Sequence, residues 1–313
     1  MNEYEINLKE VSLAYGNTEV VHRVSFGIKR GVFAGLVGPN GSGKSTIIKS
    51  LSRILEPVYG QISLRGQNIK NMKQKDLARL LAVVPQNAVV PSLFSAFEIV
   101  LMGRNPHKGF LSYEDEKDMS IVRDAMEKTD TWRFRDRRIH ELSGGEIQSV
   151  VIARALTQDT DIIVLDEPTA ALDVARQIEI LNFLRGHCKE RNKTIIAAIH
   201  DLNLAAHYCD RMILLKKGDV FMNDAPSKVI TNENLSEVYG SGSYVYPHPL
   251  SGLPAVLPMV EGIFHSQEVI ANLSDCAPSG LWLFWYLFRR ALPRAIDQRL
   301  SAFIYAYFRA ESP

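Results

Sequence analysis

Cysteine is scarce in this chain, long apolar stretches are missing, and neither sign of charge dominates. Three cysteines, Cys188, Cys209 and Cys276, stand far apart in 313 residues with no C-x-x-C pair. Neither a disulfide framework nor a zinc site is therefore expected, and a reducing compartment is the natural setting. The longest apolar run, Leu281 to Phe288, falls far short of the roughly 20 residues that span a bilayer. The N-terminal Met1-Asn2-Glu3-Tyr4-Glu5 is acidic and has no apolar h-region, so no secretory signal is expected. The 36 Lys and Arg against 35 Asp and Glu leave a net charge of +1. No overall field draws the chain to nucleic acid or anionic lipid. The expectation is a protein kept in the cytoplasm, whose membrane role, if any, comes through a partner.

With 46% hydrophobic and 23% charged residues, the composition is that of an ordinary globular protein. The length suggests two domains or one large α/β domain with an appendage. Residues Ile6 to Ile28 alternate apolar and polar positions around Tyr15-Gly16-Asn17 and predict short antiparallel strands with one wet face. Val32 to Val37 is instead continuously apolar, enters a glycine-rich stretch, and is followed by a helical pattern from Ser45 to Leu55. A buried parallel strand, a loop and a helix make the βα unit of an α/β sheet. Ile62 to Leu64 and Leu81 to Val84 predict further strands. From Leu93 to Leu156 the pattern is helical, broken at Gly103, Pro106, Gly109 and Gly144-Gly145, which makes this stretch a candidate insert. Ile162 to Leu165 and Thr194 to Ile199 are buried strands joined by a helix over Ala175 to Arg191, and Arg211 to Phe221 is a hairpin around Lys217-Gly218-Asp219. Beyond Lys228 lysine disappears, arginines accompany an aromatic-rich run, and a change of organisation is expected.

Gly38-Pro39-Asn40-Gly41-Ser42-Gly43-Lys44-Ser45 fits G-x-x-x-x-G-K-[ST], a phosphate-binding loop, and lies between a predicted strand and helix as its mechanism requires. Its glycines let backbone N–H groups converge on phosphate oxygens, Lys44 reaches the β and γ phosphates, and Ser45 is a magnesium ligand. Asp166, ending the apolar strand Ile162 to Leu165, is placed to hold the same magnesium; Glu167, next along, is the candidate base or orienter for an attacking water. Leu142-Ser143-Gly144-Gly145-Glu146 reads as a helix start with Ser143 as its cap, and such a terminus suits a γ-phosphate.

With that pentapeptide the sequence resembles the nucleotide-binding subunits of ABC transporters, over about residues 3 to 258. The resemblance implies an α/β fold: a P-loop NTPase core with a parallel sheet, an N-terminal antiparallel β subdomain and an α-helical subdomain inserted at about residues 90–155. The ATPase domain would occupy 3–240, with 241–258 as its C-terminal end and 259–313 as a tail of unknown role. It implies that Tyr15 stacks on adenine, that Thr46 joins the loop residues around the nucleotide, and that Gln86 senses the nucleotide, joins Ser45 and Asp166 at Mg2+, and links to the membrane partner. Asp173, in Ala171-Leu172-Asp173, would contact an opposite subunit, and His200 would contact the γ-phosphate. Lys44, Gln86, Glu167 and His200 form the implied catalytic set. Also implied is a head-to-tail homodimer in which ATP held by one subunit is covered by Ser143, Gly144, Gly145 and Glu146 of the other.

Ser95 to His107, with its Gly103-Arg104-Asn105-Pro106 run, and Val245-Tyr246-Pro247-His248-Pro249 are similar to segments of importers for ferric siderophore, haem and cobalamin. The resemblance then implies a peripheral subunit on the cytoplasmic face of the membrane. It would act with transmembrane permease subunits and, through them, a substrate-binding protein. A molybdate or other importer is the alternative, and a non-transport ABC ATPase acting on DNA or ribosomes stands further off, because a sustained heptad insert and a second cassette are both lacking. No nucleic-acid partner is expected. Glu167 argues against a catalytically dead regulator, and the missing spans argue against a fused exporter. Ile147 and Ser149 depart from the basic or polar residues common at those positions. The run Leu281 to Phe288 is a candidate membrane or permease contact, set against a tail with no selected function.

Overall fold

The apolar runs fold as strands of two sheets, and their alternation decides which. In the computed structural model, which describes residues 3–108, 115–240 and 242–258, the N-terminal strands β1 (Ile6–Tyr15) and β2 (Thr18–Ile28) pair antiparallel around Gly16-Asn17. After β3 (Phe33–Val37) and α1 (Lys44–Leu51), β4 (Tyr59–Leu64) and β5 (Gln67–Asn68) complete a four-stranded sheet ordered β2-β1-β4-β5. Next come α2 (Gln74–Leu80), β6 (Leu81–Val84), the helices α3 (Ala96–Leu101), α4 (Glu116–Lys128) and α5 (Gly144–Thr157), and then β7 (Ile162–Asp166), α6 (Val174–Glu190) and β8 (Thr194–Ala198). The chain continues through α7 (Leu202–Tyr208), β9 (Arg211–Lys216), β10 (Asp219–Asp224), α8 (Pro226–Val229), α9 (Asn232–Tyr239), β11 (Ser243–Pro247) and β12 (Pro254–Pro258). The second sheet is ordered β10-β9-β3-β8-β7-β6, parallel except for the β9–β10 hairpin.

Burial on both faces explains the unbroken apolar character of the parallel strands. Ile163 and Leu165 of β7, with Ile195 and Ala197 of β8, face a core shared with α5, α6 and α7. Ile162, Val164, Ile196 and Ala198, the alternate residues, face the core under α1 and the antiparallel sheet. The helical insert has its own core of Ile99, Val100, Val122, Met126, Phe134 and Val150. Each such side chain contributes roughly 1.5–3 kcal/mol when fully buried. The expected α/β core, antiparallel subdomain and helical insert are all present.

Three local expectations need correction. The helix expected to Leu55 stops at Leu51, because Arg53 takes a positive φ of 59° and the N–H groups of Ile54 and Leu55 both return to Lys49 O. Gly144 and Gly145 do not separate helices. They form the first turn of α5, capped by Ser143, whose Oγ accepts from Glu146 N while the Glu146 carboxylate accepts from Ser143 N at 2.8 Å. The composition change after Lys228 is no structural boundary: Val229, Leu235 and Val238 are buried in the main core, and Val245 and Val256 pack against it. The expected break at Gly109, Cys276 and everything proposed for 259–313 lie outside the described residues.

Candidate active site

Four adjacent strands of the parallel sheet end at one edge, and each delivers a predicted residue there. The loop Gly38–Ser45 follows β3, Gln86 follows β6, Asp166 and Glu167 close β7, and His200 lies just past β8. The carboxyl edge of a parallel sheet is where α/β proteins bind ligands.

The loop itself turns on two of its glycines. Gly38 has φ 148°, and a Cβ there would lie 2.4 Å from Leu215 O; Gly43 has φ 103°, and a Cβ would lie 2.9 Å from Val21 Cγ2. Glycine is required at both for conformation and for space. Lys44 is buried and donates to Gly38 O at 2.7 Å and Pro39 O at 3.0 Å. Burial pushes its ammonium pKa below the ordinary lysine value, against the raising effect of the Glu167 and Asp166 charges. Ser42 Oγ is buried and has no hydrogen-bond partner among the described residues. A buried hydroxyl left unmatched beside a cation that binds only carbonyls is a site suited to an anion. Thr46 is buried in the first turn of α1, while Asn40 and Gly41 are exposed on the rim.

Ser45 Oγ donates to Asp166 Oδ1 at 2.8 Å. Burial raises the Asp166 carboxyl above the usual range and the Glu167 charge adds to the rise, while the Ser45 bond, Lys49 and Lys44 oppose it. A hydroxyl and a carboxylate oxygen, both hard donors, suit Mg2+. Glu167 holds the centre of the edge. Its carboxylate accepts from Gln86 Nε2 at 2.6 Å and from His200 Nε2. Gln86 thus bonds Glu167 rather than joining the Ser45–Asp166 pair. The Glu167 backbone is left-handed, φ 50°, with its N–H on Ala198 O at 3.2 Å.

The remaining expected residues come from other elements. Tyr15 is exposed at the β1–β2 turn, 5.6 Å from its ring centroid to Lys49 Nζ, which also bonds its hydroxyl at 3.4 Å. Ser143, Gly144, Gly145 and Glu146 open α5, and their side-chain hydrogen bonds close on one another, Ser143 with Glu146. A Cβ on Gly145 would lie 3.1 Å from Ala171 O, so this turn packs directly on the Ala171-Leu172-Asp173 segment. Asp173 caps α6 by accepting from Arg176 N at 2.9 Å.

Three contributors carried no sequence signal. Gln148 donates to Pro168 O at 3.3 Å and ties α5 to the turn after Glu167. Gln177 donates to Thr169 O and Leu172 O at 3.0 Å each, bracing the same turn. Tyr239, at the end of α9 and 40% exposed, places its phenol against the Gly38 backbone N–H; partial desolvation raises its pKa, and the N–H opposes that rise. An isolated Gln or Tyr has no motif to mark it.

The model of the ABC transporter family matches residues 21–170. The chain is 35% identical over 264 residues to the petrobactin import ATP-binding protein of Bacillus anthracis, covering 84% of this chain and 97% of that one. It is 38% identical over 252 residues to the iron(3+)-hydroxamate import ATP-binding protein of Bacillus subtilis, covering 80% and 94%. A solved metal-chelate type ABC transporter, in an inward-facing conformation, matches with a TM-score of 0.70 and 25% identity over 82% of this chain and 98% of that one. Phosphate loop, strand-end acids, capped Ser-Gly-Gly turn and near full-length similarity agree: the chain belongs to the ABC transporter family, as one of its ATP-binding, ATP-hydrolysing subunits.

Proposed function

We propose that this chain drives import of a ferric chelate by hydrolysing ATP at the edge formed by β3, β6, β7 and β8. The observation that carries the hydrolytic part is Glu167, whose two carboxylate oxygens are held by Gln86 and His200. The cargo class rests on the relatives named for petrobactin and iron(3+)-hydroxamate import and on the metal-chelate type neighbour.

In this reading Lys44 leaves the Gly38 and Pro39 carbonyls for the β and γ phosphates, and Ser42 and the loop N–H groups complete the cradle. Ser45 and Asp166 hold Mg2+, which supplies neutralisation of phosphate charge when bound. Glu167 accepts a proton from the attacking water; Gln86 and His200 occupy one lone pair on each of its oxygens, which leaves lone pairs free for that water. His200 then turns toward the γ-phosphate, and Gln86 carries the change to the permease. Tyr15 stacks on adenine. Ser143, Gly144, Gly145 and Glu146 cover the nucleotide of a second copy, and Asp173 meets that copy across the interface, giving a head-to-tail homodimer. The open space around Gly144 favours this, since nothing lies within 4 Å of a Cβ built there. No helix among the described residues is long and apolar enough to cross a membrane. This agrees with a peripheral subunit on the cytoplasmic face, bound to permease subunits that receive cargo from a substrate-binding protein.

The test is uptake of labelled ferric hydroxamate, ferric catecholate, haem, cobalamin and molybdate by a strain lacking the gene, complemented with wild type or Glu167→Gln. Loss of ferric chelate uptake, restored by wild type alone, is the expected result. Unchanged uptake of both ferric chelates would sink the cargo assignment, and restoration by Glu167→Gln would sink the role of Glu167.

A further inference from the structure

The strands β11 and β12 meet at Val245 and Val256, which face each other directly, and this rung is gripped from outside at both ends. On one side Val245 N–H donates to Oδ1 of Asn232, the first residue of α9, at 2.7 Å. On the other, the Asn203 carboxamide makes two bonds to a single residue: Val256 N–H donates to Oδ1 at 2.7 Å, and Nδ2 donates to Val256 O at 3.2 Å. A primary amide presents a donor and an acceptor side by side. In this pose it does for β12 what a neighbouring strand would do.

Asn203 lies in the first turn of α7, where Asp201 caps the helix by accepting from Asn203 N at 2.8 Å and Leu204 N at 3.0 Å. His200 precedes that cap. Its side chain is 44% exposed, so packing alone does not fix the ring. Its backbone is anchored on the strand side, where Ile199 N donates to Leu36 O at 3.1 Å, and on the other side by α7. A second attachment holds α7 to the hairpin: His207 Nε2 lies 3.4 Å from Ser251 Oγ, and its ring meets His248 edge-on at 5.4 Å. The hairpin is therefore a strap joining the helix behind His200 to α9, whose last residue, Tyr239, rests on the phosphate loop.

We propose that Asn203 is a positioning residue for ATP hydrolysis: by gripping the Val245–Val256 rung it holds α7 so that His200 meets Glu167. This rests on the reading of Glu167 and His200 given above. Asn203→Ala removes both bonds. Asn203→Asp keeps the acceptor but sets a carboxylate against the Val256 carbonyl.

The experiment measures ATP hydrolysis and ATP binding by the full chain for Asn203→Ala, Asn203→Asp, Asn232→Ala, His200→Ala, Glu167→Gln and the double variant of Asn203→Ala with His200→Ala. The expected result is a kcat lower by on the order of 10- to 100-fold in both Asn203 variants, as for a misplaced catalytic group, with ATP affinity unchanged. With His200 already removed, Asn203→Ala causes no further loss, because the two act through one contact. A kcat equal to wild type in the Asn203 variants, or a loss additive with His200→Ala, overturns the proposal. Should the Asn203 variants fail to fold, Asn232→Ala decides: reduced kcat at unchanged affinity supports the strap, and wild-type kcat overturns it. Glu167→Gln separates the two ideas. If it turns over at the wild-type rate, the site reading fails and the strap with it; if turnover is lost while the Asn203 variants run normally, the strap alone fails.

Discussion

Substituting Lys44 by alanine should separate nucleotide binding from folding. In the absence of nucleotide the ammonium sits among protein carbonyls, donating to Gly38 and Pro39, and its pKa is lowered by burial. Removing it costs two charge-assisted bonds, each about 1.5–3 kcal/mol, but also removes the burial of a cation, which offsets much of that loss. The Pro39 carbonyl is only partly buried and adjoins the exposed Asn40, so water entering the space left by the lysine can satisfy it. Stability without ATP should therefore change by only about 1 kcal/mol, or roughly 2–4 °C in Tm for a domain of this size. With ATP at about 100 times the wild-type Kd, binding adds about 2.7 kcal/mol to wild-type stability, a Tm rise of about 5–11 °C. Loss of the lysine's contact with phosphate, at roughly 2.7 kcal/mol within the 2–5 kcal/mol range for breaking a buried charge pair, weakens binding about 100-fold. At the same ATP concentration the variant then gains only about 0.4 kcal/mol, or about 1–2 °C. Thermal unfolding with and without ATP measures all four values. An ATP-induced shift in Lys44→Ala as large as in wild type would refute the argument, as would a collapse of Tm before ATP is added.

Glu167→Gln should lower kcat by about 10²–10⁴, equivalent to about 3–5 kcal/mol in the barrier, while ATP still binds and the closed dimer accumulates in light scattering. Its unfolding free energy should move by less than about 1 kcal/mol, since the amide oxygen can still accept from Gln86 or His200. Asp166→Asn should abolish hydrolysis yet make the chain more resistant to urea at pH 7. The folded-state pKa of Asp166 is raised above 3.8, so its contribution is full below that value and is lost as pH rises through the raised pKa. Equal urea resistance of wild type and variant at both pH 3.5 and pH 7 would contradict this. His187 has its pKa lowered from 6.5 to about 4 by burial, with Arg191, Lys128 and Lys193 adding to the shift. Stability linked to it is full above pH 6.5 and lost as pH falls toward 4, about 1–2 kcal/mol after allowance for solvent screening. His187→Gln should flatten that part of the stability profile, and an NMR titration of His187 near 6.5 would refute the assignment.

The parallel sheet was legible because burial on both faces leaves a chemical trace: Ile162 to Leu165 and Thr194 to Ile199 admit no polar residue after their first position. The phosphate loop was legible because glycine at Gly38 and Gly43 answers a backbone requirement that few other residues meet. The Ser143 cap was readable too, although its glycines misled, since residues that usually break helices here begin one. What could not be read were contacts made by single polar side chains across long sequence separations. Gln148 to Pro168, Asn203 to Val256 and Asn232 to Val245 each involve a residue common on any surface, joined to a backbone atom that carries no identity of its own. The composition change at Lys228 failed as a boundary for the opposite reason. Core membership depends on a few apolar positions, Val229, Leu235 and Val238 among them, and the loss of lysine from the surface says nothing about those.

Strand order explains why Glu167, and not another acid, gathers Gln86 and His200. β7 lies between β6 and β8 in the sheet, so the residue that ends it is flanked by the residues that end its neighbours. Gln86 arrives from one side and His200 from the other. For the carboxylate to stand between them the chain must turn sharply after Asp166, and it does so in the left-handed region, which costs a residue other than glycine about 1–3 kcal/mol. The ladder holds that turn in place: Asp166 pairs with Ala198, Glu167 N–H reaches Ala198 O, and Gln148 fixes the following Pro168 carbonyl. A glycine would adopt the same turn without strain but would carry no carboxylate. The strain is the consequence of requiring both the bend and the acid at one position, and the surrounding sheet supplies the stability that keeps it there.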